Sequence, residues 1–427
     1  MSLLIIADDL SGAADCAIGF ASSGLPTVVT LQAEYDVGDA QVIAIDTDTR
    51  RLSPAAAAER TVQACATLLR PGQRLYKKID STLRGNWAAE VAGLCGIAGL
   101  AIVAPAFPAT GRTTVGGKVL VNGQPLESTD TWQLEHAGRC ADLDALLASA
   151  GVACAAIGLD VLRGAPHLLA EHIASAAGRQ AQALIVDAQT PDDLARLAEV
   201  TAALAQPLFW VGSGGLAREI AVRPQLLNAV PRPEPASRQR QAPILVLVGS
   251  LSAVSGRQCE LLKANTGIAE LVVPPPVLRA GEQHDQWAAW QARIGAQLAT
   301  GHDLLLRIGR DAAFDPAEGA RLSTALAGLV QPHFAALGAL VATGGETARA
   351  MLAAAGIGSL QLIQEIEAGV AFGRPVASRD GHRPGVITKA GAFGTDHALY
   401  AAWLHLSDAE APANGSNFLF EKQGKHS

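Results

Sequence analysis

The sequence predicts an α/β protein of two α/β domains with mainly parallel sheets flanked by helices. Three observations carry this. Short β-rich apolar runs alternate with Ala- and Leu-rich stretches of helical periodicity along almost all of the 427 residues, the pattern of parallel strands covered by helices on both faces. One Pro-rich, charged segment, Val222 to Pro243, interrupts the alternation. Each side of that break holds its own series of strand candidates, and the chain is long enough for two or three domains.

Before the break, Leu3–Ala7, Thr27–Leu31, Val42–Ile45, Arg74–Ile79, Leu100–Val103, Ala183–Val186 and Leu208–Val211 read as strands. Runs such as Leu3–Ala7 are continuously apolar, as expected for strands buried on both faces. Pro54–Leu69 and Asp192–Leu204 read as helices between them. After the break come strands Ile244–Val248, Leu271–Val273, Asp303–Ile308, Ala339–Ala342 and Gly385–Thr388, with Glu318–Leu329 as a helix. The expected organisation is a first domain over 1–225, a linker over 226–242, a second domain over 243–412 and a polar, flexible tail over 413–427.

Composition narrows the function classes. Hydrophobic residues make up 49% and charged residues 17%, enough for a large core. A net charge of −7 argues against a nucleic-acid partner, while local Lys and Arg clusters still suit small anions. The six cysteines form no CxxC pair and fit core residues of a reducing cytoplasm. The first residues lack a basic n-region, so no signal peptide is expected. The longest apolar stretch, near Ile97 to Phe107, is too short for a membrane span.

Candidate chemistry sits at strand ends. The first strand runs into Asp8-Asp9-Leu10-Ser11-Gly12, Val42–Ile45 into Asp46-Thr47-Asp48-Thr49-Arg50-Arg51, and Arg74–Ile79 covers Lys77-Lys78 and leads into Asp80-Ser81-Thr82-Leu83-Arg84-Gly85. Carboxyl ends of parallel strands share one edge, so three such loops converge on one crevice. Asp8, Asp9, Asp80, Lys78, Arg50 and Arg84 suit a small polyhydroxylated anion: Arg binds carboxylates bidentately, and Asp accepts from hydroxyls or takes a proton. The plainer alternatives are a helix N-cap for the Asp pair and for Asp80-Ser81-Thr82, and solvated charge for Lys77-Lys78. Val211-Gly212-Ser213-Gly214-Gly215 is either an anion loop or a tight strand–helix turn.

The second domain offers Gly249-Ser250-Leu251-Ser252 with Ser255, Gly344-Gly345-Glu346-Thr347, and Lys389-Ala390-Gly391. Glycines permit close backbone approach, helix N-termini favour negative charge and hydroxyls add donors, which together fit nucleotide phosphates. There is no Walker P-loop, and the near-match to GxGxxG at Gly212 to Ala217 lacks a ribose-binding acid. No Ser/His/Asp triad, HExxH or other metal-ligand spacing appears.

These blocks together resemble the four-carbon acid sugar kinase family. The resemblance rests on Ala7-Asp8-Asp9-Leu10-Ser11-Gly12-Ala13, Lys77-Lys78-Ile79-Asp80-Ser81-Thr82-Leu83-Arg84-Gly85, Gly249-Ser250-Leu251-Ser252 with Ser255 and Gln258, Gly344-Gly345-Glu346-Thr347 and Lys389-Ala390-Gly391-Ala392-Phe393-Gly394. Ser11 stands where the commoner form has Thr. The resemblance implies an ATP-dependent kinase acting on the 4-hydroxyl of a tetronate, with D-threonate the leading substrate and D-erythronate, L-threonate or oxo-tetronates as alternatives. It implies that the first domain holds the sugar acid through Asp8, Asp9, Arg50, Arg51 and Ser81 to Arg84. The second would hold ATP through Ser250, Ser252, Ser255, Gly344, Gly345, Glu346, Thr347 and Gly391. Mg²⁺ is expected with ATP.

On this reading Arg50 and Arg84 clamp the carboxylate, Asp9 or Asp80 orients or deprotonates the hydroxyl, and Lys78 and the Gly344–Thr347 helix start neutralise phosphoryl charge. An NAD-dependent hydroxy-acid dehydrogenase and a non-catalytic sugar-acid sensor are the competing readings. A homodimer is the expected assembly.

Overall fold

The computed structural model describes residues 2–129, 132–133, 140–223, 242–313, 315, 318–377, 381–391 and 393–407. The expected linker, apart from Ala242, and the expected tail 413–427 lie outside the described residues. In the first half the strands are β1 Leu3–Ala7, β2 Thr27–Thr30, β3 Val42–Asp46, β4 Arg74–Lys78, β5 Leu100–Ala104, β6 Arg112–Val115, β7 Lys118–Val121, β8 Gln124–Pro125, β9 Cys154–Ile157, β10 Ala183–Val186 and β11 Leu208–Gly212. The second half contains β12 Ile244–Val248, β13 Ala269–Val273, β14 Leu304–Ile308, β15 Ala339–Thr343, β16 Ser359–Glu367, β17 Val370–Pro375 and β18 Gly385–Lys389.

Every strand expected from the sequence is present to within two residues. The helices also match: Pro54–Leu68, Pro191–Ala203 and Gly319–Val330. The continuous apolar runs lie where burial on both faces demands them: β1, β5, β11, β12 and β15 are buried along their whole length. The strands not anticipated are β6 to β9, β16 and β17. β9 is a half-exposed edge strand, and β6–β8 form a small antiparallel sheet of their own.

The remaining strands build one 15-stranded sheet in the order β13-β14-β12-β15-β18-β17-β16-β2-β3-β1-β4-β11-β5-β10-β9. The two halves are joined where β16 pairs antiparallel with β2, Leu360 opposite Val29. Strands β16, β17 and β18 also pair antiparallel, so the parallel strands of the two halves run in opposite senses. β16 carries two register shifts, features that bend a strand and sharpen its twist. The core is shared as well, with Phe20 and Val29 in one apolar cluster with Leu360, Leu362 and Ala371.

Register sets the chemistry. Ala7 pairs with both Asp46 and Lys78, Lys78 with Gly212, and Gly212 with Ala104, so these strand ends stand level at one edge. In the second half Thr343 stands level with Val248 and Lys389, and Val248 with Arg307.

Candidate active site

The loops at the first edge close around a narrow pocket of ≈ 50 Å³, room for only a few water-sized groups. Asp9, Ser11, Arg50, Lys78, Asp80, Ser81 and Arg84 line it from the first half, and Gly369, Ala390 and Phe393 close it from the second. Asp9 caps the Leu10–Ser22 helix, its Oδ1 accepting from Gly12 N–H at 2.9 Å, and also faces the pocket. Asp9 is therefore both a helix cap and a pocket-lining residue.

Asp8 lies behind the pocket wall. Its two carboxylate oxygens accept from Arg50 Nε and Nη2, each at 2.9 Å, and Arg50 Nη2 also stands 3.2 Å from Asp9 Oδ1. Burial pushes the Asp8 carboxyl upward, but Arg50, Lys77 and Lys78 outweigh it and hold the group below its ordinary value. Asp80 behaves in the same way: burial opposes ionisation, and Arg84, Arg50, Lys78 and the Thr82 N–H overcome it, leaving the carboxyl far below the usual range. Thr82 donates to Asp80 Oδ1 through N–H at 2.8 Å and Oγ1 at 3.0 Å, and Arg84 Nε pairs with Oδ2. Leu83, at φ 58°, makes the left-handed turn that lets Arg84 fold back onto Asp80.

Lys77 and Lys78 separate. Lys78 lines the pocket, whereas Lys77 is fully buried and pairs with Glu90 Oε2 at 2.8 Å. Glu90 also accepts from Thr49 Oγ1 and Thr61 Oγ1, so one buried carboxylate ties the strand ends of β3 and β4 together.

In the second half a cleft of ≈ 770 Å³, within the usual span for ligand sites, opens at the ends of β12 and β14. Ser250, Ser252 and Ser255 line it at the start of the Ala253–Thr266 helix, with Arg307 and Arg310 across from them. Ser252 caps the helix, and Ser255 Oγ donates to Gly391 O at 2.7 Å. Lys389 Nζ donates to Ala390 O at 2.8 Å and Phe393 O at 2.9 Å, shaping that loop. Burial lowers its pKa to about 8.

The expected nucleotide residues Gly344–Thr347 and Gly391 are not among those lining the cleft; the Gly344–Gly345 turn lies between Ser250 of the cleft and Asp9 of the pocket. A Cβ on Gly344 would stand 3.9 Å from Ser250 N, and one on Gly345 would stand 3.1 Å from both Asp9 Oδ2 and Ser11 Oγ. Thr347 is buried, its Oγ1 3.0 Å from Ser323 Oγ. Arg51 is not among the pocket-lining side chains; its Nη2 pairs with Glu346 Oε1 at 2.7 Å across the halves. Asp8, Thr82 and Leu83 likewise lie outside the lining.

Sequence reasoning singled out neither Asp15 and Phe107, nor the contributions of Gly369 and Phe393, nor Arg307 and Arg310. The arginines sit just within and just past an expected strand end, which was the available signal. Ser213 and Gly214 belong to the glycine loop left open between turn and anion site, and both line the first pocket. Among the described residues, no three His, Cys, Asp or Glu side chains gather as a metal cage, and no helix is long and apolar enough to cross a membrane.

Residues 3–220 match the family described as a sugar-binding N-terminal domain, and residues 245–399 the family described as a nucleotide-binding C-terminal domain. A D-threonate kinase of Cupriavidus necator is 54% identical over 416 residues, covering 97% of this chain and all of that protein. D-threonate kinases of Bordetella bronchiseptica and Salmonella typhimurium are 35% and 31% identical. They cover 93% and 96% of this chain, and 96% and 99% of their own lengths. A solved structure from Salmonella typhimurium LT2 superposes with a TM-score of 0.78 at 21% identity, over 94% of this chain and 98% of that one. A Haemophilus influenzae structure of the DUF1537 family gives 0.70 at 20%, over 94% and 100%. These two establish the shared α/β fold. With both halves matched in order and relatives aligned over nearly the full length, the chain belongs to the four-carbon acid sugar kinase family.

Proposed function

We propose that this protein is a D-threonate kinase that transfers the γ-phosphoryl group of ATP to the 4-hydroxyl of the sugar acid. The observation that carries this reading is the contact of the Gly344–Gly345 turn with Asp9, which sets a phosphate-type helix start against an acid-and-base pocket. The full-length similarity to D-threonate kinases supports the same substrate. The dehydrogenase and sensor readings have no support among the relatives, which are named as kinases.

On this reading the first half (1–225) holds the sugar acid and the second (243–412) holds ATP, with 226–242 as linker and 413–427 as tail. Arg84 and Arg50 receive the carboxylate. Asp80, ionised and tightly paired, is a weak base, so it positions Arg84 while Asp9 accepts the hydroxyl proton. Ser250, Ser252, Ser255 and Gly391 shape the ATP cleft, and Glu346 and Arg51 hold the halves together. The pocket carboxylates Asp9 and Asp15, which also pair with Arg50 and Arg218, would hold Mg²⁺, and the ion would supply counter-charge to the ATP phosphates. Six free cysteines fit a reducing cytoplasm, and a homodimer is the assembly for light scattering to test.

A coupled ADP-release assay with D-threonate, L-threonate, D-erythronate and the oxo-tetronates tests the substrate. D-threonate should give the highest kcat/KM; a higher value for another acid, or no ADP release with any, overturns the assignment. Asp9→Asn should lower kcat by about 10²-fold or more, whereas Asp80→Asn should act mainly through KM for the acid.

A further inference from the structure

Two helix N-termini meet at the junction of pocket and cleft. The Leu10–Ser22 helix begins there, and the Gly345–Ala354 helix faces it so closely that a Cβ on Gly345 would stand 3.4 Å from Ser11 N. The N-cap of the second helix, Gly344, offers no side-chain hydrogen bond. The Asp9 carboxylate already caps the first helix start, so the second start, which has no side-chain cap, is the one left to receive a further anion. Lys78 adds a full charge at the same place: its Nζ is 2.9 Å from where a Cβ on Gly12 would stand.

An independent observation marks the spot. Ser11 lines the pocket and is only 7% exposed, yet its Oγ has no hydrogen-bond partner among the described residues. A buried hydroxyl without a partner carries an uncompensated desolvation cost, so one beside a site and a helix start points to a ligand. The same Oγ would stand 3.1 Å from a Gly345 Cβ, between the acid that faces the sugar and the turn that faces the nucleotide.

Resting on the kinase reading, we infer that Ser11 Oγ, Lys78 Nζ and the uncapped start of the Gly345–Ala354 helix form the seat of the phosphoryl group in flight, with Ser11 a catalytic hydrogen-bond donor. In the step itself the attacking hydroxyl oxygen forms a bond to Pγ as the bond from Pγ to the β,γ-bridging oxygen breaks. That bond's electron pair leaves with ADP, and the hydroxyl proton passes to the Asp9 carboxylate. Ser11 donates to an equatorial oxygen whose charge is carried through the transition state, so its hydrogen bond matters for kcat.

The test compares wild type with Ser11→Ala and Ser11→Thr in the ADP-release assay with D-threonate and ATP. Ser11→Cys, which keeps the volume, replaces the alanine variant if that variant is unstable. Ser11→Ala should lose about 10²-fold in kcat with both KM values little changed, and Ser11→Thr should recover most of the rate. A kcat close to wild type, or a loss confined to KM for D-threonate, overturns the inference. The second readout is binding of inorganic phosphate in the presence of ADP, by calorimetry. It should weaken about tenfold or more in Ser11→Ala, and equal binding overturns the seat. Absence of ADP release by the wild type would instead remove the kinase reading, while the phosphate comparison would still decide the seat.

Discussion

Gly345 and Asp9 touch across the two halves of the protein: a methyl group on Gly345 would stand 3.1 Å from Asp9 Oδ2. Gly345→Ala must displace the acid or the turn by a few tenths of an ångström. Because catalysis depends on such positions, kcat should fall about tenfold or more while the thermal midpoint changes little. Steady-state kinetics with calorimetry checks this, and an unchanged kcat refutes the close-contact argument.

Asp8 grips Arg50 with both oxygens, so its substitution acts through the arginine. Asp8→Asn should raise KM for the sugar acid about tenfold and lower stability by about 1–3 kcal/mol. Its folded carboxyl lies below the ordinary value, so the stabilisation it gives is present above about pH 4 and is lost as pH falls below that. The gap between wild type and variant in urea titrations should therefore begin to narrow between pH 7 and pH 3.5.

The Lys77–Glu90 pair has no access to solvent. Glu90→Gln leaves the ammonium without a counter-charge, and unfolding free energy should drop by about 3–5 kcal/mol. The double variant Lys77→Met/Glu90→Gln should recover much of that loss in urea unfolding. Equal loss in both would show that the charge is not the cause.

Arg349 Nη1 meets Asp46 Oδ2 at 2.6 Å, a further contact between the halves. Burial raises the Asp46 carboxyl to about 7; Arg349 pulls it down, and Asp9 and Asp48 push it up. The folded chain keeps this proton up to about pH 7, whereas the unfolded chain releases it near pH 4. The native state binds more protons in that window, so the contribution of Asp46 falls as pH rises from about 4 to 7 and is constant above. The thermal midpoint of wild type relative to Asp46→Asn should decline across that range; a constant difference from pH 5 to 8 would sink the assignment.

The sequence by itself determined the strands and the loops that carry chemistry. Runs such as Leu3–Ala7 and Ile244–Val248 are apolar because both faces of a parallel strand are buried, and that requirement is written residue by residue. The level strand ends followed, since parallel pairing leaves one carboxyl edge. The tertiary structure alone decided that Lys77 turns to Glu90 while Lys78 stays at the site, and that Arg51 reaches Glu346. It also decided that β2 and β16 fuse the halves into one sheet. These contacts link positions up to hundreds of residues apart, as Asp9 is from Gly345. They depend on how separate elements pack against one another, for which no local pattern of side chains carries a record.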